Sequence, residues 1–122
     1  MKEVCIADLQ KRFGSENVNF FAGPNGLPSV KLSNSFGEVE ICVYAAHVMS
    51  YKRPGEEPIL WMSQKSMFSA GEPIRGGVPI CWPWFGPHAE GKFAGHGYAR
   101  LAMWDVTAAA QAANGETAVT MQ

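Results

Sequence analysis

Val18-Asn19-Phe20-Phe21-Ala22, Ser29-Val30-Lys31-Leu32-Ser33 and Glu38-Val39-Glu40-Ile41-Cys42-Val43 decide the fold class. Apolar residues fall on every second position: Val18, Phe20 and Ala22, then Val30 and Leu32, then Val39, Ile41 and Val43. A two-residue period puts those side chains on one face of a strand, the face that can be buried. Between the runs stand Gly23-Pro24-Asn25-Gly26 and Asn34-Ser35-Phe36-Gly37, residues that turn a chain sharply. Half-buried strands joined by tight turns read as an antiparallel sheet.

Upstream, Cys5, Leu9 and Phe13 recur every four residues among Lys2, Glu3, Gln10, Lys11 and Arg12. That spacing predicts a short amphipathic helix over residues 3–13, ended by Gly14. Downstream the apolar pattern becomes continuous, and Ala45–Tyr51 and Ile59–Ser63 read as further buried strands. Gln64–Phe68 is the only other stretch with helical character. Residues 69–97 hold too much glycine and proline for a helix. Tyr98–Ala110 reads as another strand, and Thr117–Met121 begins one more. The sum is a mainly β chain with one short N-terminal helix, a sandwich or barrel of antiparallel strands. With no internal repeat and no linker, residues 1–122 are expected to belong to a single domain. The chain stops at Thr117-Ala118-Val119-Thr120-Met121-Gln122, in mid-strand. This raises the expectation of a truncated piece of something longer.

Composition bounds the function. The 122 residues are 47% hydrophobic, enough to fill a core, and the formal net charge is −1. A nucleic-acid binder would show a basic excess or stripe, so that class is set aside. No apolar run approaches the ~20 residues that cross a bilayer, and Met1–Asp8 lacks the apolar stretch of a secretory signal. The expectation is a cytoplasmic protein without a membrane partner. Cys5, Cys42 and Cys81 are odd in number and widely spaced, which fits a reducing compartment and three small buried hydrophobes.

The segment Pro73-Ile74-Arg75-Gly76-Gly77-Val78-Pro79-Ile80-Cys81-Trp82-Pro83-Trp84-Phe85-Gly86-Pro87 carries the chemistry. It sets glycines and prolines among two tryptophans and a phenylalanine, with Arg75 as its single charge. Glycines allow close approach of a ligand to backbone, and aromatic rings pack on the C–H faces of sugars. The structural alternative is a buried, proline-stiffened crossing with Arg75 reaching to solvent. A second cluster follows at Gly95-His96-Gly97-Tyr98-Ala99-Arg100. His96 between two glycines is sterically open, although a lone histidine is more often structural. If Tyr98–Ala110 is a strand, Tyr98 and Arg100 share a face. Arg75 and Arg100 together would clamp an anion, since guanidinium matches phosphate bidentately. His88, Glu90 and His96 lack the spacing of a compact metal site, and none is expected. His47, in an apolar run, reads as a core histidine.

Five stretches carry a resemblance: Ala45-Ala46-His47-Val48-Met49-Ser50, Ile59-Leu60-Trp61-Met62-Ser63, the run Pro73 to Gly86, Gly95 to Arg100, and Trp104. In order and spacing they resemble the hexose-6-phosphate mutarotases, the glucose-6-phosphate 1-epimerases of the aldose 1-epimerase superfamily. The resemblance covers nearly the whole chain but less than half of a family member. It implies the N-terminal portion of a galactose-mutarotase-like β-supersandwich whose site lies in a cleft on one sheet. The implied reaction interconverts the α and β anomers of glucose 6-phosphate without a cofactor. A general base takes the proton of the C1 hydroxyl while a general acid protonates the ring oxygen. In the family these are a glutamate and a histidine, expected downstream of Gln122, so no catalytic residue is expected within this chain. Carried over by position, Arg75 and Arg100 are substrate-binding arginines and His96 is the upstream site histidine. At Gly95 many members carry a glutamine that contacts substrate, and this chain lacks that side chain.

A hexose 6-phosphate is therefore the expected partner, and the 122 residues alone are expected to be inactive. The competing reading is a non-catalytic carbohydrate-binding β-sandwich using the same aromatic face. A sheet cut in mid-course also leaves an exposed edge, and self-association through that edge is expected.

Overall fold

The computed structural model describes residues 1–122. Helix α1 (Ile6–Phe13) leads into β1 (Val18–Ala22), a single 3-10 turn at Pro24–Gly26, β2 (Pro28–Asn34), β3 (Gly37–Cys42) and β4 (His47–Lys52). These four strands form an antiparallel meander in chain order. A second 3-10 turn at Ala99–Leu101 precedes β5 (Val106–Gln111) and β6 (Thr117–Met121), which pair as a two-stranded sheet. No helix is long and apolar enough to cross a membrane.

The alternation that defines the strands also defines the core. The register sets Val18 against Leu32, Phe20 against Val30, and Val30 against Ile41, so these apolar side chains fall on one face. Leu9 of α1 and Val106 of β5 close over that face, burying Val18, Phe20, Val30, Leu32 and Val43 between them. Burial of such side chains contributes about 1.5–3 kcal/mol each. The Gln10 side chain ties the helix down by accepting the Phe20 amide at 2.8 Å.

The opposite face carries the candidate site. Ser29 pairs with Cys42 and Cys42 with His47, a row across β2, β3 and β4 in which all three are wholly buried. Tyr44, Ala45, Met49, Leu27 and Ile74 pack with Cys42 into a second core. The lid over this row is not a strand but the irregular stretch running from Trp61 to Gly77.

Several expectations are corrected here. The helix begins at Ile6 with Cys5 as its N-cap, and Cys5 is exposed rather than packed. Ile59–Ser63 makes only an isolated bridge, Met62 to Gly76, and Gln64–Phe68 forms turns instead of a helix. Ala45 and Ala46 have positive φ, so β4 starts two residues later than the apolar run suggested. Tyr98–Leu101 is turned back by hydrogen bonds from the Tyr98 and Ala99 amides to the Trp82 carbonyl, and only Val106 onward is strand. A continuous apolar run has no period that separates strand from turn.

Candidate functional site

Arg75 sits where the lid turns back on itself. Its own amide donates to Ser66 Oγ and its carbonyl accepts from that hydroxyl, both at 3.0 Å. The same carbonyl accepts the Ser63 amide at 3.0 Å. Gly76 and Gly77 follow with positive φ, which glycine adopts without a side-chain clash. At Gly77 the requirement is doubled, because a Cβ would overlap the Val48 carbonyl and come within 2.9 Å of His47 Nε2. The Gly77 amide reaches the Trp61 carbonyl at 2.8 Å and the Val78 amide reaches that of Val48 at 2.9 Å. The Arg75 residue is exposed, so its side chain leaves this anchored turn into solvent.

His47 lies beneath the turn. Its Nε2 is 2.6 Å from the Gly76 carbonyl, an acceptor, so Nε2 carries the proton and Nδ1 is the lone-pair nitrogen. Nδ1 is buried without a partner. Burial holds the imidazole pKa below its ordinary value, opposed by the bond to Gly76.

The second cluster is built on Trp82 and Gly97. They form a bridge, and the Tyr98 amide donates to the Trp82 carbonyl at 2.8 Å. Gly97 has φ +76, and a Cβ there would overlap the Trp82 carbonyl and come within 2.7 Å of the Pro83 nitrogen. Between these anchors, residues 83–96 form a loop stiffened by ring contacts: Trp84 with His88 at 4.7 Å and with Tyr98 at 4.9 Å, and Phe85 with His96 at 4.8 Å. His96 holds positive φ and accepts the Gly86 amide on Nδ1 at 2.9 Å, which leaves Nε2 as the other ring nitrogen to meet a ligand. Arg100 is not on a strand. It lies in the 3-10 turn, where Nη2 donates to the Gly95 carbonyl at 2.8 Å and Nε is buried without a partner.

His96 and Arg100 therefore belong to one loop, while Arg75 belongs to another. Tyr44 lies between the two. Its hydroxyl donates to the Glu72 carbonyl at 3.0 Å, three residues before Arg75. Burial pushes the phenol pKa up, and the nearby charge of Arg100 opposes part of that rise. Beside the second loop, Ile80, Trp82, Tyr98, Met103 and Trp104 border an open apolar groove of about 610 Å³. None of Arg75, His96 and Arg100 lines it. Within these 122 residues Trp82 is 67% and Phe85 80% exposed, and of residues 73–87 only Ile74 is in the core. Sequence reasoning missed Ser66 and Tyr44. A serine in a polar turn carries no signal, and Tyr44 was one more apolar residue in an unpunctuated run.

This is a two-sheet β scaffold carrying cationic and aromatic loops over one sheet, and comparison with known proteins places it. The aldose 1-epimerase family profile matches residues 28–122. The chain belongs to the aldose 1-epimerase family. It is 43% identical over 88 residues to a Salmonella typhimurium protein named "Putative glucose-6-phosphate 1-epimerase", covering 72% of this chain and 28% of that protein. An Escherichia coli protein of the same name is 42% identical over the same shares. Among solved structures, that of "a putative mutarotase (YeaD) from Salmonella typhimurium" superposes with TM-score 0.73 at 34% identity, covering 80% of this chain and 33% of that one. The structure of HI1317 superposes with TM-score 0.70 at 31% identity, covering 80% and 35%. The chain thus spans between a quarter and about a third of the relatives it matches, and its fold is the mutarotase fold.

Proposed function

We propose that this chain is the N-terminal, sugar-phosphate-binding portion of a glucose-6-phosphate 1-epimerase, with Arg75, His96 and Arg100 as its substrate contacts. The observation that carries the reading is the exposed cationic and aromatic surface of the two loops. Arg75 is exposed on an anchored turn, and the rings of Trp82, Phe85 and Tyr98 stand open to solvent in the neighbouring segment. Rings offer a hydrophobic platform for the C–H faces of a hexose, and guanidinium groups fit the 6-phosphate. The names of the relatives point to the same substrate.

The reaction exchanges the α and β anomers by opening and reclosing the pyranose. A base withdraws the C1 hydroxyl proton as an acid protonates the ring oxygen; C1 turns, and the roles reverse on closure. In this proposal His96 orients the sugar through Nε2. The acid histidine and base glutamate come from the part of the relatives' length that this chain does not span, and the 122 residues alone do not catalyse. Three cysteines with no disulfide support a reducing, cytoplasmic setting.

Polarimetry on freshly dissolved α-glucose 6-phosphate tests the reading. The full-length protein should accelerate the approach to anomeric equilibrium, and the 122-residue piece should match buffer. Binding of the sugar phosphate by the full-length protein without acceleration would replace the enzyme with a carbohydrate-binding module.

A further inference from the structure

We infer that Ser66 and His47 are positioning residues for Arg75: together they clamp the backbone at Arg75 and Gly76, and so fix the point and direction from which its side chain leaves the turn. The inference rests on the reading of Arg75 as a phosphate ligand.

An arginine on an exposed turn has many rotamers and, on a glycine-flanked backbone, many backbone states as well. Binding through it costs the entropy of fixing both. The structure has already fixed the backbone. Ser66 Oγ holds the amide and the carbonyl of Arg75 at once, both at 3.0 Å, so one hydroxyl sets φ and ψ on either side of the Arg75 Cα. His47 takes the next carbonyl, that of Gly76, at 2.6 Å, and is itself wholly buried in the row Ser29–Cys42–His47 of the sheet. The turn that the glycines would leave loose is therefore tied to a wholly buried row of the sheet. The Nδ1 of His47 has no partner in this arrangement, and only Nε2 of the ring is used. The ring is buried with just one of its nitrogens satisfied, so the contact to Gly76 is its one polar anchor.

Ser66 is the residue to test, because it is only half-buried and its loss leaves the core intact. The assay uses the full-length epimerase with glucose 6-phosphate and with glucose, on Ser66→Ala, Ser66→Thr, Arg75→Ala and the double variant Ser66→Ala/Arg75→Ala. Ser66→Ala should raise KM for glucose 6-phosphate by about three- to tenfold, the worth of one or two net hydrogen bonds, with kcat within about twofold and glucose little changed. Ser66→Thr, which keeps the hydroxyl, should recover most of the loss. On the Arg75→Ala background Ser66→Ala should do nothing further, the signature of two residues acting as one. Equal effects of Ser66→Ala with and without Arg75 would overturn the positioning role while leaving Arg75 as a ligand. If Arg75→Ala itself weakens both sugars alike, the phosphate reading of Arg75 fails and the positioning role goes with it. His47→Asn, with melting followed in parallel, should reproduce the KM shift wherever the variant remains folded; a folded variant with unchanged KM would remove His47 from the clamp.

Discussion

Gly86 and His96 bind each other twice: the His96 amide donates to the Gly86 carbonyl at 2.8 Å, and the Gly86 amide donates to His96 Nδ1 at 2.9 Å. The nine residues between them are closed into a loop by that reciprocal pair, and it settles which ring nitrogen remains for other work. Nδ1 is occupied as an acceptor, so in the neutral ring Nε2 bears the proton.

The two roles of His96 separate by substitution. His96→Asn keeps an acceptor near the Nδ1 position and tolerates the positive φ, so the fold should melt within about 1 kcal/mol of wild type. His96→Ala loses the side-chain bond to Gly86 and adds strain, and should melt lower. Both should bind hexose 6-phosphate more weakly in the full-length protein. Full affinity in the asparagine variant would make His96 a loop staple only.

Gly97 and Gly26 share a left-handed backbone but not surroundings. At Gly26 nothing lies within 4 Å of a would-be Cβ, whereas at Gly97 the Trp82 carbonyl stands in its place. Gly26→Ala should therefore cost only the left-handed penalty, about 1–2 kcal/mol. Gly97→Ala should exceed it by about 1–3 kcal/mol, since the overlap is with backbone that must move. Denaturant melts of the two variants check this, and equal losses would show that the Trp82–Gly97 bridge is loose.

The meander was legible because its strands are half-buried, and a half-buried strand writes its own period. The alternation alone assigns Val18, Phe20, Val30 and Leu32 to one face. The site was legible only as a composition. Arg75, His96 and Arg100 stand out among glycines and aromatics, but their geometry depends on backbone bonds that no pattern encodes, such as the turn of Ala99–Leu101 onto Trp82. A strand over Tyr98–Ala110 is the natural reading because its residues are mostly apolar and no glycine or proline interrupts them. The turn won there because the Trp82 carbonyl captures two successive amides. Ser66 was invisible for the same reason, since its partners are main-chain atoms nine residues away.

His47 makes stability depend on pH in a known direction. Its folded-state pKa lies below 6.5 because burial disfavours the charged ring. As pH falls through 6.5 the unfolded chain takes the proton first, so stability declines, and the decline from this residue ends once the folded pKa is passed. Thermal melts between pH 8 and 5 should show that loss, and His47→Asn should show a shallower one. A variant with the same slope as wild type would assign the loss to other groups.

Strand β6 pairs with β5 on one side only. Its other edge offers unpaired amides and carbonyls, a template for a second chain. The isolated 122-residue piece should associate with increasing concentration in sedimentation velocity, and Val119→Pro, which removes an edge amide and cannot extend the ladder, should reduce that association. A monomer at every concentration would exclude pairing through this edge.

Arg100 is held less freely than Arg75, and that difference shapes its test. One of its five N–H donors is committed to the Gly95 carbonyl, and Nε is buried without a partner, so the guanidinium is already oriented in the fold. Removing it takes away both the tether and the proposed phosphate contact. Loss of the tether loosens residues 95–100 and should weaken phosphorylated and unphosphorylated hexose alike. Loss of a charge-assisted contact worth about 1.5–3 kcal/mol should fall on the phosphorylated sugar alone, a further ten- to hundredfold in kcat/KM by about 1.4 kcal/mol per decade. The ratio of the two substrates, measured on full-length Arg100→Ala, therefore isolates the phosphate contact from the structural one. Arg100→Lys keeps the charge but loses the planar fork, so it should restore part of the ratio and none of the tether geometry. A ratio unchanged from wild type in both variants would leave Arg100 as a loop residue, with the 6-phosphate held elsewhere.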